Sequence, residues 1–183
     1  AKKKYSLTFS LQDIDFKHTP KYQQLLSILD DPQKTLIFAN DESLIEKLDS
    51  VLTEDGYKTQ TLPKSLKSHE YSNYINEALS SDFDIFILNP MKISVGVDIN
   101  TASRIIWYQL LSDLGSTIQA QRRVYRLSST KSSIIHYLAY DKTYQADLIN
   151  EISESSKRNA AAYGTNDTSN LAKLSGVLFN TKL

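Results

Sequence analysis

The 183-residue chain has no cysteine, which removes disulfides, thiolate metal ligands and cysteine nucleophiles together and fits a reducing compartment. Histidine is scarce: His18, His69 and His136 stand far apart, without the spacing that gathers imidazoles around one metal ion. The five glycines, at positions 56, 96, 115, 164 and 176, never cluster. Neither GxxxxGK[ST] nor GxGxxG occurs, so no Gly-rich loop is present to wrap nucleotide phosphates with backbone amides. A GxSxG nucleophile elbow is absent too, which argues against a free-standing hydrolase. No apolar run approaches the roughly 20 residues that span a bilayer, and no apolar segment follows Lys2, Lys3 and Lys4 as in a signal peptide. The expectation is a cytoplasmic protein (nucleoid-associated if bacterial) with no membrane partner. Net charge is lacking as well: 21 basic residues cancel 21 acidic ones, so contact with a polyanion must come from a local patch.

What is present is an ordinary core-forming composition, 40% apolar and 23% charged, in a chain long enough for one domain. Tyr22, Leu25, Leu26 and Leu29 share one helical face, and Asp31-Pro32 stops that helix. Residues 35–39 form a short apolar run of the kind buried on both faces of a sheet. Asn40-Asp41 then offers capping side chains to a helix carrying Leu44, Ile45, Leu48, Val51 and Leu52, which ends near Gly56. Further strands are predicted over 57–62, 84–88, 104–108 and 133–139, and further helices over 68–80, 117–126 and 144–161. Parallel strands need crossovers and helices supply them, so the alternation predicts a three-layer α/β sandwich around a mainly parallel sheet. Residues 1–20 read as an N-terminal extension or linker, 21–163 as the α/β domain, and 164–183 as a polar tail. The tail ends in a small apolar group (Leu171, Leu174, Val177, Leu178, Phe179) able to form a docking helix. Trp107, in a strand interior, reads as core rather than a base-stacking platform, as do Tyr22, Tyr71, Tyr74 and Tyr144 at helical spacing; His136 reads as a core or edge residue.

One segment stands apart. No acidic residue lies between Asp113 and Asp141, while Arg122, Arg123, Arg126 and Lys131 all do. Arg123 and Arg126, three apart on a predicted helix, face the same way. Such a pair can hold phosphate oxygens in forked geometry and offset charge during phosphoryl transfer; a solvated basic helix face is the plainer reading of the same spacing.

Three segments in order resemble the conserved motifs of the C-terminal lobe of superfamily-two helicases, most closely the Swi/Snf-like ATPases, over roughly residues 21–162. Lys34-Thr-Leu-Ile-Phe-Ala-Asn40 resembles motif IV, and Asn89-Pro-Met-Lys-Ile-Ser-Val-Gly-Val-Asp-Ile99 resembles motif V. Gln119-Ala-Gln-Arg-Arg-Val-Tyr-Arg126 resembles motif VI, after the pattern Q-A-x-x-R-x-[HW]-R. Tyr125 replaces the usual His or Trp, Leu127-Ser128-Ser129 the usual Ile-Gly-Gln, and Asn89-Pro90 the commoner Thr-Arg of motif V, as in a specialised branch of phage or mobile-element type.

The resemblance implies a RecA-like lobe without the phosphate loop, unable to hydrolyse ATP alone. An N-terminal RecA-like lobe of the same polypeptide would hold ATP and Mg. Arg123 and Arg126 would reach the γ-phosphate as arginine fingers, with Gln119, Gly96 and Asp98 beside the nucleotide and the interlobe surface. Asn40, Asn89, Lys92 and Ser94 would grip the phosphates of DNA independently of base sequence, although each is also an ordinary capping or loop residue. A non-catalytic helicase-like interaction module for nucleic acid or protein is the second reading.

Overall fold

The computed structural model describes residues 15–93, 102–111 and 134–162. The predicted helix over 117–126, the apolar group of the tail and the first 14 residues lie outside them. Five short strands form one sheet: β1 (Thr35–Phe38), β2 (Thr59–Thr61), β3 (Ile85–Leu88), β4 (Arg104–Trp107) and β5 (Ile134–Tyr137). Their order is β2-β3-β1-β4-β5 and every pairing is parallel. Among the described residues four α-helices accompany them: α1 (Pro20–Leu29), α2 (Glu42–Glu54), α3 (Tyr71–Ser80) and α4 (Tyr144–Ala162). The expected three-layer α/β sandwich is therefore present. None of these helices is long and apolar enough to cross a membrane.

Strand pleating explains the layers. Leu36 and Phe38 point to one face, where they join Ile75, Ala78 and Leu79 of α3 and Ala146, Ile149 and Ile152 of α4. Ile37 and Ala39 point to the other, against Leu25 and Leu29 of α1 and Leu48 and Leu52 of α2. Successive side chains of one strand thus supply two separate cores, which is why these strands read as continuous apolar runs. In one register row, Phe38, Trp107 and Tyr137 lie side by side across β1, β4 and β5. The Phe38 and Trp107 rings meet edge-on at 5.0 Å, and Trp107 stacks on Tyr137 at 6.3 Å. Trp107 and Tyr22 are buried as expected; Tyr71 and Tyr74 pack half-buried against the core.

Local chemistry sets the helix ends. Thr19 caps α1, its hydroxyl accepting from the Tyr22 amide, and Pro20 occupies the first position, where a missing N–H costs nothing. The Asp41 carboxylate caps α2 by accepting from the Leu44 amide at 2.9 Å. At the far end of α2 the Gly56 amide donates to Thr53 O and the Tyr57 amide to Leu52 O, with Gly56 at φ 95°. That is the Schellman arrangement, and its left-handed residue is where glycine avoids a Cβ clash.

Three expectations need correction. The strand expected over 57–62 pairs only at Thr59–Thr61, because β2 is an edge strand that has only β3 to pair with. The helix expected over 68–80 begins with a 3-10 turn at Ser68–Glu70 before becoming α-helical at Tyr71. Tyr144 is not core: it is 61% exposed at the first residue of α4, and burial on this helix begins at Ala146.

Candidate functional site at the carboxyl edge of the sheet

In an open parallel sheet, ligands bind outside the carboxyl ends of the strands, where connections leave two neighbouring strands in opposite directions. Here that point lies between β1 and β4: the chain leaving β1 runs to the β2 side, and the chain leaving β4 to the β5 side. The residues just beyond β1, β3 and β4 are Ala39 to Asp41, Asn89 to Ile93, and Tyr108 to Leu110. Asn40, Asn89 and Lys92, singled out in the sequence, are all brought to this edge.

Their bonds distinguish them. Asn89 ends β3 and caps a single 3-10 turn, Pro90–Lys92, its Oδ1 accepting from the Met91 amide at 2.9 Å. Its Nδ2 donates to Asn40 O at 3.2 Å, tying the ends of β3 and β1 together. Gln109, which the sequence reading had passed over, does the same from β4: its Oε1 accepts from both the Asn40 and Asp41 amides at 3.1 Å. The Asn40 backbone is therefore clamped from both flanking strands. Its own Oδ1 is buried without a hydrogen-bond partner among the described residues. Leaving such an acceptor unpaired costs about 1–3 kcal/mol, so this carboxamide is poised for an incoming donor.

Lys92 is engaged differently. Its Nζ pairs with the Glu42 carboxylate at 2.6 Å and lies 5.5 Å from the centre of the Tyr71 ring. Glu42 opens α2, where the helix dipole favours a carboxylate. The Ser43 hydroxyl and the Leu44 amide hold the neighbouring Asp41 carboxyl below its usual pKa. The positive end of α2 is thus already capped and flanked by two acids. A phosphate approaching here must compete with Glu42 for Lys92.

Ser94, Gly96, Asp98, Gln119, Arg123 and Arg126 lie outside the described residues. Among the described residues no group of three or more His, Asp or Glu could hold a metal ion. The described part of the edge thus offers the carboxamides of Asn40, Asn89 and Gln109 beside the Asp41 cap and the Lys92–Glu42 pair. Among the described residues the exposed large apolar side chains are Met91, which follows β3, and Tyr140 and Tyr144, which follow β5.

Comparison with known proteins places this architecture. Residues 20–128, more than half of the chain, match the family model described as the helicase conserved C-terminal domain. The human DNA annealing helicase and endonuclease ZRANB3 is 25% identical over 119 residues, covering 64% of this chain and 11% of that protein. Helicase SWR1 of Kluyveromyces lactis is 25% identical over 148 residues, covering 79% of this chain and 9% of that protein. The chain thus spans about a tenth of the curated relatives it matches. Among solved structures, the C-terminal part of the Fun30 ATPase domain shares the fold with a TM-score of 0.63 at 22% identity, over 76% of this chain and 47% of that one. The chain belongs to the helicase conserved C-terminal domain family, as a RecA-like C-terminal lobe of the superfamily-two, Swi/Snf-like kind.

Proposed function

We propose that this lobe works in an ATP-dependent DNA helicase or translocase, completing an ATP site built mainly on an N-terminal RecA-like lobe of the same polypeptide. The family match over residues 20–128 carries the reading. Support comes from chemistry on both sides of the ledger: the chain has no Gly-rich phosphate loop, and it does have the Arg123 and Arg126 pair in the motif VI pattern. The bound nucleotide would supply the phosphoryl group and Mg its charge neutralisation. This chain's part is to present two guanidiniums, with Gln119, Gly96 and Asp98 at the interlobe surface. Arginine fingers of this kind can be worth about 10³–10⁵ in rate.

The second task proposed for the lobe is to hold one DNA strand by its phosphates. Asn40, Asn89 and Lys92 stand just beyond the carboxyl ends of β1 and β3, Ser94 follows them in the motif V-like segment of the sequence, and backbone contacts of this type carry no base code. Binding is then sequence-independent and weakens steeply with salt.

One observation favours the non-catalytic module instead: Lys92 is already paired with Glu42, and Asn89 spends one donor and one acceptor of its carboxamide within the fold. ATPase measurement decides. The 183-residue chain alone is expected to be inactive, and the polypeptide carrying both lobes to show DNA-stimulated hydrolysis that falls at least about 10³-fold in Arg123→Ala or Arg126→Ala. Undiminished turnover in the double variant rules out the fingers, and a two-lobe polypeptide without any ATPase favours the module.

A further inference from the structure

Lys21 occupies a place that suits a neutral amine better than an ammonium. It is the second residue of α1, and its Nζ donates to Oε1 of Gln145, the second residue of α4, at 3.3 Å. The positive ends of two helices therefore flank one nitrogen, and both disfavour a cation there. The Tyr108 and Tyr140 rings stand 4.9 and 5.9 Å away and offset part of this through their π-faces. Among the described residues no carboxylate pairs with Lys21. Asp55, on the neighbouring α2 corner, is occupied by Lys17 and the Tyr22 hydroxyl, and neither Asp141 nor Asp147 at the start of α4 forms an ion pair with Lys21. Lys58 and Lys64, by contrast, each have an acid at 2.7 and 2.5 Å. Of the two rings Tyr108 is buried and Tyr140 is exposed, so Tyr140 marks the solvent side of the cage.

We propose that Lys21 is an acylation site, a nucleophilic lysine that reacts with small acyl thioesters or acyl phosphates ahead of the surface lysines of the chain. The lone pair of Nζ attacks the acyl carbon, an N–C bond forms, and the C–S or C–O bond breaks. The thiolate or phosphate leaves with the bonding pair, and the proton shed by nitrogen passes to it or to water. The product is an uncharged amide whose remaining N–H still donates to Gln145, which removes the cation from between the two helix ends. Burial supports the same chemistry, holding the Lys21 pKa down to about 8 from the ordinary 10.5. At pH 8 about half of its amine is then free base, against well under a hundredth for an ordinary lysine.

Competitive labelling of the folded 183-residue chain with limiting acetic anhydride, read by peptide mass spectrometry across pH, tests this. Lys21 is expected to label at least about tenfold faster than Lys58 and Lys64 at pH 8, with a midpoint near 8. Gln145→Glu, which sets a carboxylate against Nζ, is expected to move that midpoint towards 10 and abolish the excess. Equal labelling of the three lysines, or an excess that survives in a folded Gln145→Glu variant, would falsify the proposal. So would a midpoint driven upward by inorganic phosphate, which would reveal an anion site. Separate incubations with acetyl phosphate and a small acyl thioester identify the donor class, and failure of both to acylate Lys21 overturns the assignment.

Discussion

The two ends of the parallel sheet use polar groups in opposite ways. At the amino end every described cation has a partner. Arg104, 3% exposed at the start of β4, donates to Asp31 O at 2.9 Å and to its carboxylate at 3.1 Å. Lys34 donates to Ser81 O at 2.7 Å and lies over the Phe83 ring, and Lys58 pairs with Asp82. At the carboxyl end carboxamides stand beside the charged groups Asp41, Glu42 and Lys92, one buried acceptor on Asn40 has no partner among the described residues, and Met91, Tyr140 and Tyr144 are exposed. One end is closed on itself; the other is left with capacity for something outside the described fold. Buried polar groups are normally satisfied, so this imbalance is a pointer to where the lobe meets its ligands.

Breaking the closed end should have the largest effect. Arg104→Ala removes a buried stem along with its ion pair and is expected to cost about 2–4 kcal/mol in urea unfolding. DNA affinity should not change apart from loss of folded protein. Arg104→Met should recover most of that stability, because Asp31 stays largely exposed and does not need the charge. If Met is as damaging as Ala, the ion pair rather than packing holds this end.

At the open end, Gln109→Ala strands the Asn40 and Asp41 amides and is expected to cost about 1–3 kcal/mol. Hydrogen exchange should quicken at those two amides before it does so in the strand interiors. Unchanged exchange would mean that the clamp is not what fixes the β1–α2 corner.

The smallest expected effect separates structural from ligand-directed charge. Glu42→Gln frees Lys92 and should alter stability by less than about 0.5 kcal/mol, since exposed pairs contribute little. Fluorescence anisotropy with a DNA duplex is expected to show a roughly two- to fivefold gain in affinity and a steeper salt dependence. Lys92→Ala should lower affinity and reduce the salt slope by about 1. If both variants bind DNA like the parent, Lys92 is a structural partner of α2 and not a phosphate contact.

Much of the fold was legible because its signals are local. The apolar runs at Leu36–Phe38 and Ile85–Leu88, the carboxylate cap at Asp41 and the glycine after α2 each need only a few neighbouring residues to act. Tyr144 misled because periodicity marks a helical face without saying where along it burial begins. Asn40 and Asn89 could be named from their motif-like segments. Gln109 could not, because its partners lie 69 and 68 residues away. Lys21 and Gln145 are 124 residues apart and show no pattern that links them. Arg123, Arg126, Gln119, Gly96, Asp98 and Ser94 rest on motif spacing alone.

The chain's own order of residues determined the alternation of strand and helix, the two-sided burial of the strands, the helix caps and the family. All of these are short-range consequences of side-chain size, polarity and backbone freedom. Tertiary structure alone decided the β2-β3-β1-β4-β5 order, the clamp that Asn89 and Gln109 place on Asn40, and the meeting of Lys21 with Tyr108, Tyr140 and Gln145. Those contacts exist because parallel strands bring all their carboxyl ends to one edge, which juxtaposes side chains that the sequence keeps far apart.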